Sequence, residues 1–255
     1  MNKLLILPRV VFSVYGMLLF IAILLVLFPF IVIASAFGKL KGGNIIYSIC
    51  QFWSDTWLLL LGIHHHNMFK SNRQQDQPYV FVFNHLSFMD VPIIMKSLKG
   101  RHFRVLGKAE LAKVPIFGFV YRNAVILVNR ADADKRARSV RQLKSVINKG
   151  ISVVIAPEGT FNTTGKALKD FYDGAFKIAI ETQTPIKPLL FLDAYHRLSY
   201  KSIFSLTPGR SRTVFLEEVS VQGLTLNDVP ALKERVYQLM ETKLIEYKAA
   251  WITNA

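Results

Sequence analysis

Residues 10–37 read VVFSVYGMLLFIAILLVLFPFIVIASAF and carry no charge. About 20 apolar residues in a helix suffice to cross a bilayer. This stretch is therefore long enough to cross a bilayer. A cleaved signal peptide would have an apolar run of only ~7–15 residues, which argues against that reading. After GKLKGG at 38–43 comes a second segment, IIYSICQFWSDTWLLLLGI at 45–63. At about 100° per residue, Ile45, Ile49, Phe52, Thr56, Leu59 and Ile63 share one helical face, while Ser48, Gln51 and Asp55 gather on another.

Charge decides how these segments meet a membrane. Lys3 and Arg9 flank the first on one side, Lys39 and Lys41 on the other. A single crossing would leave one basic flank, or the cationic remainder of the chain, on the wrong side of the bilayer. Two full crossings would carry Asp55 near the bilayer centre, at a cost of roughly 2.5–3.5 kcal/mol. The expectation is a two-helix membrane hairpin over residues 1–66, dipping into one leaflet, with two ordinary spans as the alternative. Residues 67–255 then form the remaining domain.

Lys and Arg number 32 against 17 Asp and Glu, a net charge of +15. Such an excess suits an anionic membrane surface, an anionic substrate or nucleic acid. The basic residues are spread through structured segments and no nucleic-acid motif accompanies them, so a nucleic-acid partner is not expected. Cys50 stands alone, which excludes a disulfide within the chain.

From residue 78 the pattern alternates. Apolar, β-branched runs at 79–83, 124–128, 151–156 and 186–192 read as strands, and helical patterns lie between them. The clearest, 131–150, opens on Asp132 and Asp134 and closes on Lys149 and Gly150, and 228–252 reads as a final helix. The alternation predicts an α/β fold, a mostly parallel sheet flanked by helices.

The run 79–83 leads into NHLSFMD at 84–90. On a continuous helix, residues five apart lie about 140° apart and cannot touch, so His85 and Asp90 meet only across a turn. Pro92 suits the first turn of a helix that would begin there. Two readings follow. In one, Ser87 caps the helix, Asp90 reaches back as in a capping box, and His85 is incidental. In the other, Asp90 fixes the tautomer of His85 and raises the basicity of its far nitrogen. No G-x-S-x-G elbow or reactive-cysteine signature is present, so a nucleophile would be a hydroxyl brought by the substrate. A second polar stretch, PEGT at 157–160, follows the strand at 151–156, where α/β proteins build sites. Three adjacent histidines, His64, His65 and His66, cannot share a metal on a helix and are expected as an interfacial cluster at the end of the hairpin.

The order NHxxxxD, a basic segment, EGT and the apolar strand IKPLLF resembles the glycerolipid acyltransferases, in particular the bacterial 1-acylglycerol-3-phosphate (lysophosphatidate) acyltransferases. The resemblance covers about residues 75–195. It implies that His85 is a general base oriented by Asp90, with Asn84 in support. The acyl donor would be acyl-CoA or acyl-carrier protein, and the product phosphatidate. Lys108 and Arg130 match positions that bind the acceptor phosphate, and Glu158, Gly159 and Thr160 match the acceptor-binding loop. IKPLLF matches the last strand of the family, either lining an acyl channel or forming plain core. No metal or cofactor is implied, and the location would be the cytoplasmic face of a bacterial inner membrane. Two departures bear on the acceptor. Phe161 stands where Arg often follows EGT, and YRNAVILV replaces a Gly-rich step before Arg130. Another lysolipid, including a lyso-aminolipid, is the alternative acceptor, and a non-catalytic membrane lipid-binding protein is the alternative class.

Overall fold

The computed structural model describes residues 6–70, 77–128 and 133–252. Its strands are β1 (Ile63–Phe69), β2 (Val80–Phe83), β3 (Phe103–Lys108), β4 (Ile126–Val128), β5 (Ser152–Ile155), β6 (Ile186–Phe191) and β7 (Gly209–Phe215). They form one sheet in the order β1-β7-β6-β2-β5-β3-β4. Every pairing is parallel except β6 with β7. Eight α-helices accompany it among the described residues: α1 (Ile6–Ser35), α2 (Gly43–Leu60), α3 (Asp90–Ser97), α4 (Phe117–Ala124), α5 (Ala133–Ile147), α6 (Gly174–Glu181), α7 (Ala194–Arg197) and α8 (Val229–Glu246).

The strands explain the layers. Successive strand residues face opposite sides of a sheet. Val80 and Val82 accordingly pack with α5, α6 and α8, while Phe81 and Phe83 pack with α2 and α3 on the other face. A sheet covered on both faces needs nearly continuous apolar strands, which is why YVFVF and IKPLLF lack a polar alternation. IKPLLF is a central strand, fully buried, and β7 follows it in the chain, so it is not the last strand.

α1 is long and apolar enough to cross a membrane, and it packs antiparallel on α2. Small residues permit its contacts with α2 and with the loop before β7. Gly16 offers its carbonyl to the Trp57 indole at 2.9 Å, and a Cβ there would stand 2.3 Å from the side chain of Leu206. Ser13 accepts the Leu206 backbone N–H at 3.1 Å. The face of α2 that meets the sheet domain sets polar side chains among the buried Ile46, Tyr47 and Leu58. Gln51 donates to the Leu98 carbonyl, Ser54 to the Pro92 carbonyl, and Asp55 pairs with Lys96 and Lys99. Ile45, Phe52 and Leu59 point outward, as do Leu18, Ile21, Leu25, Val26 and Ile33 of α1.

The turn between the two helices is held as well. Arg104, buried in β3, donates to the carbonyls of Lys39 and Leu40 and to Asn44 Oδ1. Lys39 and Leu40 belong to a single π-helical turn, Gly38–Gly42, that leads directly into α2.

Residues 64–66 are not at the end of a hairpin. They lie in β1, paired in register with Arg210–Arg212 of β7. The strand alternation leaves His64 and His66 exposed and turns His65 inward. The expected boundary at residue 66 thus falls inside a strand of the sheet.

Candidate active site

The carboxyl ends of β6, β2, β5 and β3 share one edge of the sheet, because these strands run parallel. NHLSFMD leaves β2 at this edge. Asn84 is buried and its amide brackets the end of β6, donating to the Phe191 carbonyl at 3.2 Å and accepting the Phe191 N–H at 2.8 Å. The chain then turns so that Asp90, the first residue of α3, lies beside His85. The His85 Nδ1 to Asp90 Oδ2 distance is 2.7 Å, with the two side chains 26% and 1% exposed.

Asp90 does reach back into the turn, but Met89 and not Ser87 is the N-cap of α3, and no side chain caps it. The same oxygen, Asp90 Oδ2, also accepts the backbone N–H of Leu86 at 3.0 Å and of Ser87 at 3.1 Å. Ser87 Oγ accepts the Met89 N–H at 2.9 Å and donates to the Leu198 carbonyl. The carboxylate therefore fixes the turn and the imidazole at once. An acceptor at Nδ1 makes that nitrogen an N–H donor, and in the neutral tautomer this leaves Nε2 as a base. A hydroxyl brought to Nε2 has a proton acceptor already oriented by a buried anion.

The loop after β5 completes the surroundings. Glu158 is fully buried. Its Oε1 accepts the His85 backbone N–H at 2.8 Å and its Oε2 the Lys169 N–H at 2.9 Å. Gly159 has φ +73°, a conformation that a side chain would strain. Thr160 Oγ1 receives the Lys169 ammonium at 2.8 Å. The Asn162 N–H donates to the His85 carbonyl at 2.8 Å. Phe161 lies on the imidazole, ring centroids 4.4 Å apart, and meets Phe88 edge-on at 5.0 Å.

His85, Asp90, Asn84, Glu158, Gly159 and Thr160 are thus brought together. Lys108 is exposed at the end of β3. Continuing the register of β3 on β5 puts it level with Pro157, two strands and about 10 Å across the sheet from the strand of His85. Its backbone hydrogen-bonds the Tyr121 hydroxyl. Arg130 lies outside the described residues. Phe161, Asn162 and Lys169 were not singled out for these contacts, since nothing in their spacing marks them; the parallel pairing of β2 with β5 brings them to His85.

Comparison with known proteins supplies the family. An acyltransferase family model matches residues 63–192, from the start of β1 to just past β6. The chain is 30% identical over 173 residues to human 1-acyl-sn-glycerol-3-phosphate acyltransferase beta, covering 68% of this chain and 62% of that one. It is 35% identical over 170 residues to the human alpha enzyme, covering 65% and 58%. The chain thus spans under two thirds of the length of these relatives. The crystal structure of the 1-acyl-sn-glycerophosphate (LPA) acyltransferase from Thermotoga maritima superimposes with a TM-score of 0.73 at 21% identity, over 95% of this chain and 99% of that one; it shares the fold. With the family model matching half of its length and the His–Asp turn inside that match, the chain belongs to the acyltransferase family.

Proposed function

We propose that the protein transfers a fatty acyl chain from acyl-CoA or acyl-carrier protein to the free sn-2 hydroxyl of lysophosphatidate, giving phosphatidate. The observation that carries this reading is the 2.7 Å hydrogen bond from His85 Nδ1 to buried Asp90 at the open edge of the sheet. Nε2 takes the hydroxyl proton as the oxygen attacks the thioester carbonyl. The tetrahedral intermediate collapses, the carbon–sulfur bond breaks, and the imidazolium returns its proton to the thiolate. Asp90 stabilises the imidazolium between these steps. No acyl-enzyme is formed, because the nucleophile belongs to the acceptor.

Lys108 and Arg130 are the proposed cations for the acceptor phosphate, Arg130 by two parallel hydrogen bonds. Gly159 and Thr160 form the acceptor side of the loop. Substrate and product are lipids, and the outward apolar faces of α1 and α2 support an enzyme seated at the cytoplasmic face of a bacterial inner membrane.

One observation favours a second acceptor. Phe161 packs on His85 where a cation would meet a terminal phosphate, which suits a lysolipid with a different headgroup. Mass spectrometry of the products of purified enzyme, offered several lysolipids with both donors, decides between them. Phosphatidate from lysophosphatidate as the fastest product is expected; a faster product from another lysolipid transfers the assignment to it, and no ester product from any acceptor ends it.

A further inference from the structure

We propose that Glu158 is a positioning residue for His85, and that the acceptor-facing groups of its loop are Thr160 and Lys169 instead. The inference rests on the reading of His85 as the base. Its ground is how the two oxygens of Glu158 are used. Oε1 is taken by the His85 N–H at 2.8 Å and Oε2 by the Lys169 N–H at 2.9 Å. The residue has no exposed surface, so no face of the carboxylate is open to a ligand.

The backbone of His85 is thereby pinned from both sides. Its N–H goes to Glu158, and its carbonyl accepts the Asn162 N–H at 2.8 Å. The ring is pinned separately by Asp90. A general base must hold its nitrogen within hydrogen-bond reach of the proton it abstracts, and errors of about 1 Å in such placement cost ~10²-fold. The same carboxylate fixes the backbone of Lys169, whose ammonium then rests on Thr160 Oγ1 at 2.8 Å. Thr160 and Lys169 are both partly exposed, as an acceptor contact requires.

The protonation state of Glu158 matters to this bracket. Burial pushes its carboxyl up to about 8, with the Asp90 charge adding to the rise, while the His85 and Lys169 N–H donors and the Lys169 ammonium oppose it. Protonation would aim an O–H at one of the two amide N–H groups and open the bracket.

The test uses the full-length, membrane-bound enzyme with whichever lysolipid the wild type turns over fastest, so the identity of the acceptor does not enter. Glu158→Gln retains the shape but turns an NH₂ toward one amide donor. A loss of about tenfold or more in kcat is expected, with the acceptor KM within about threefold of wild type. The ascending limb of the kcat–pH profile, which includes ionisation of Glu158 in the wild type, should move to lower pH. Glu158→Asp, which restores the charge one methylene short, should retain the wild-type limb and recover part of kcat; it serves alone if the Gln variant is not recovered from membranes. An acceptor KM raised about tenfold or more, or an unchanged kcat, overturns the proposal. His85→Ala is measured alongside. If that variant is active, the reading of His85 falls; if it is inactive while Glu158→Gln changes KM alone, only the role of Glu158 falls.

Discussion

Asp90 Oδ2 accepts three hydrogen bonds, one from an imidazole and two from backbone amides, and a substitution has to be judged against both duties. His85→Ala removes the base and leaves the amides satisfied. Its acyl transfer should fall ~10²–10⁴-fold with the protein still folded and membrane-bound; near-wild-type turnover by purified His85→Ala would refute the mechanism. Asp90→Asn retains an oxygen for the Leu86 and Ser87 amides, so the thermal midpoint should move little. The imidazolium loses its anion, and kcat should still drop by about tenfold or more. Survival of full activity would reduce Asp90 to a cap. The His–Asp pair and the EGT loop were legible because each lies within a few consecutive residues. The bond from Glu158 to the His85 amide was not, since it depends on the register of β2 against β5, which no spacing in the chain reveals.

Among elements, the strands read from sequence were β2, β4, β5 and β6, whose apolar runs are continuous or nearly so. β1, β3 and β7 escaped notice because IHHHNMF, FRVLGK and GRSRTVF carry histidines and arginines where a strand signal needs β-branched or aromatic residues. The polar residues of β1 serve the structure. Asn67 Nδ2 donates to the Ser97 carbonyl, so its Oδ1 is the acceptor for His65 Nε2 at 3.0 Å, while Nδ1 lies 3.0 Å from Ser211 Oγ and Ser97 Oγ lies 3.1 Å from Nε2. Burial, with help from the charges of Lys96 and His66, pushes the His65 pKa down to about 4 against the opposing Asn67 bond and Asp193. The unfolded chain, with an ordinary imidazole near ~6.5, binds the proton more tightly than the folded one. This contribution to stability is thus fully present above about pH 6.5 and is lost as pH falls towards about 4. Thermal midpoints measured across that window should fall less steeply for His65→Gln than for wild type. Equal slopes would show that His65 titrates outside the fold.

At the scale of the whole molecule, the helix pair is stitched to the sheet domain at its turn as well as along α2. Arg104 of β3 holds the carbonyls of Lys39 and Leu40, and Gln51, Ser54 and Asp55 hold α2 against α3 and the loop after it. Two full spans would put that turn on the far side of a bilayer some 30 Å thick, stripping Arg104 and Asp55 of their partners. We propose that, with the pair kept on the domain, its outward apolar faces lie in one leaflet and the turn stays on the side of the cationic domain. A cysteine label tests this. Gly42 is unsuitable, because a Cβ there would stand 2.2 Å from the Ala34 carbonyl oxygen, whereas Lys41 is exposed. In a Cys50→Ala background, Lys41→Cys should resist an impermeant maleimide in intact bacterial cells and react in inside-out membrane vesicles. Strong labelling from outside the cell would require the turn to have left Arg104 and crossed the membrane, and the arrangement in one leaflet would be wrong.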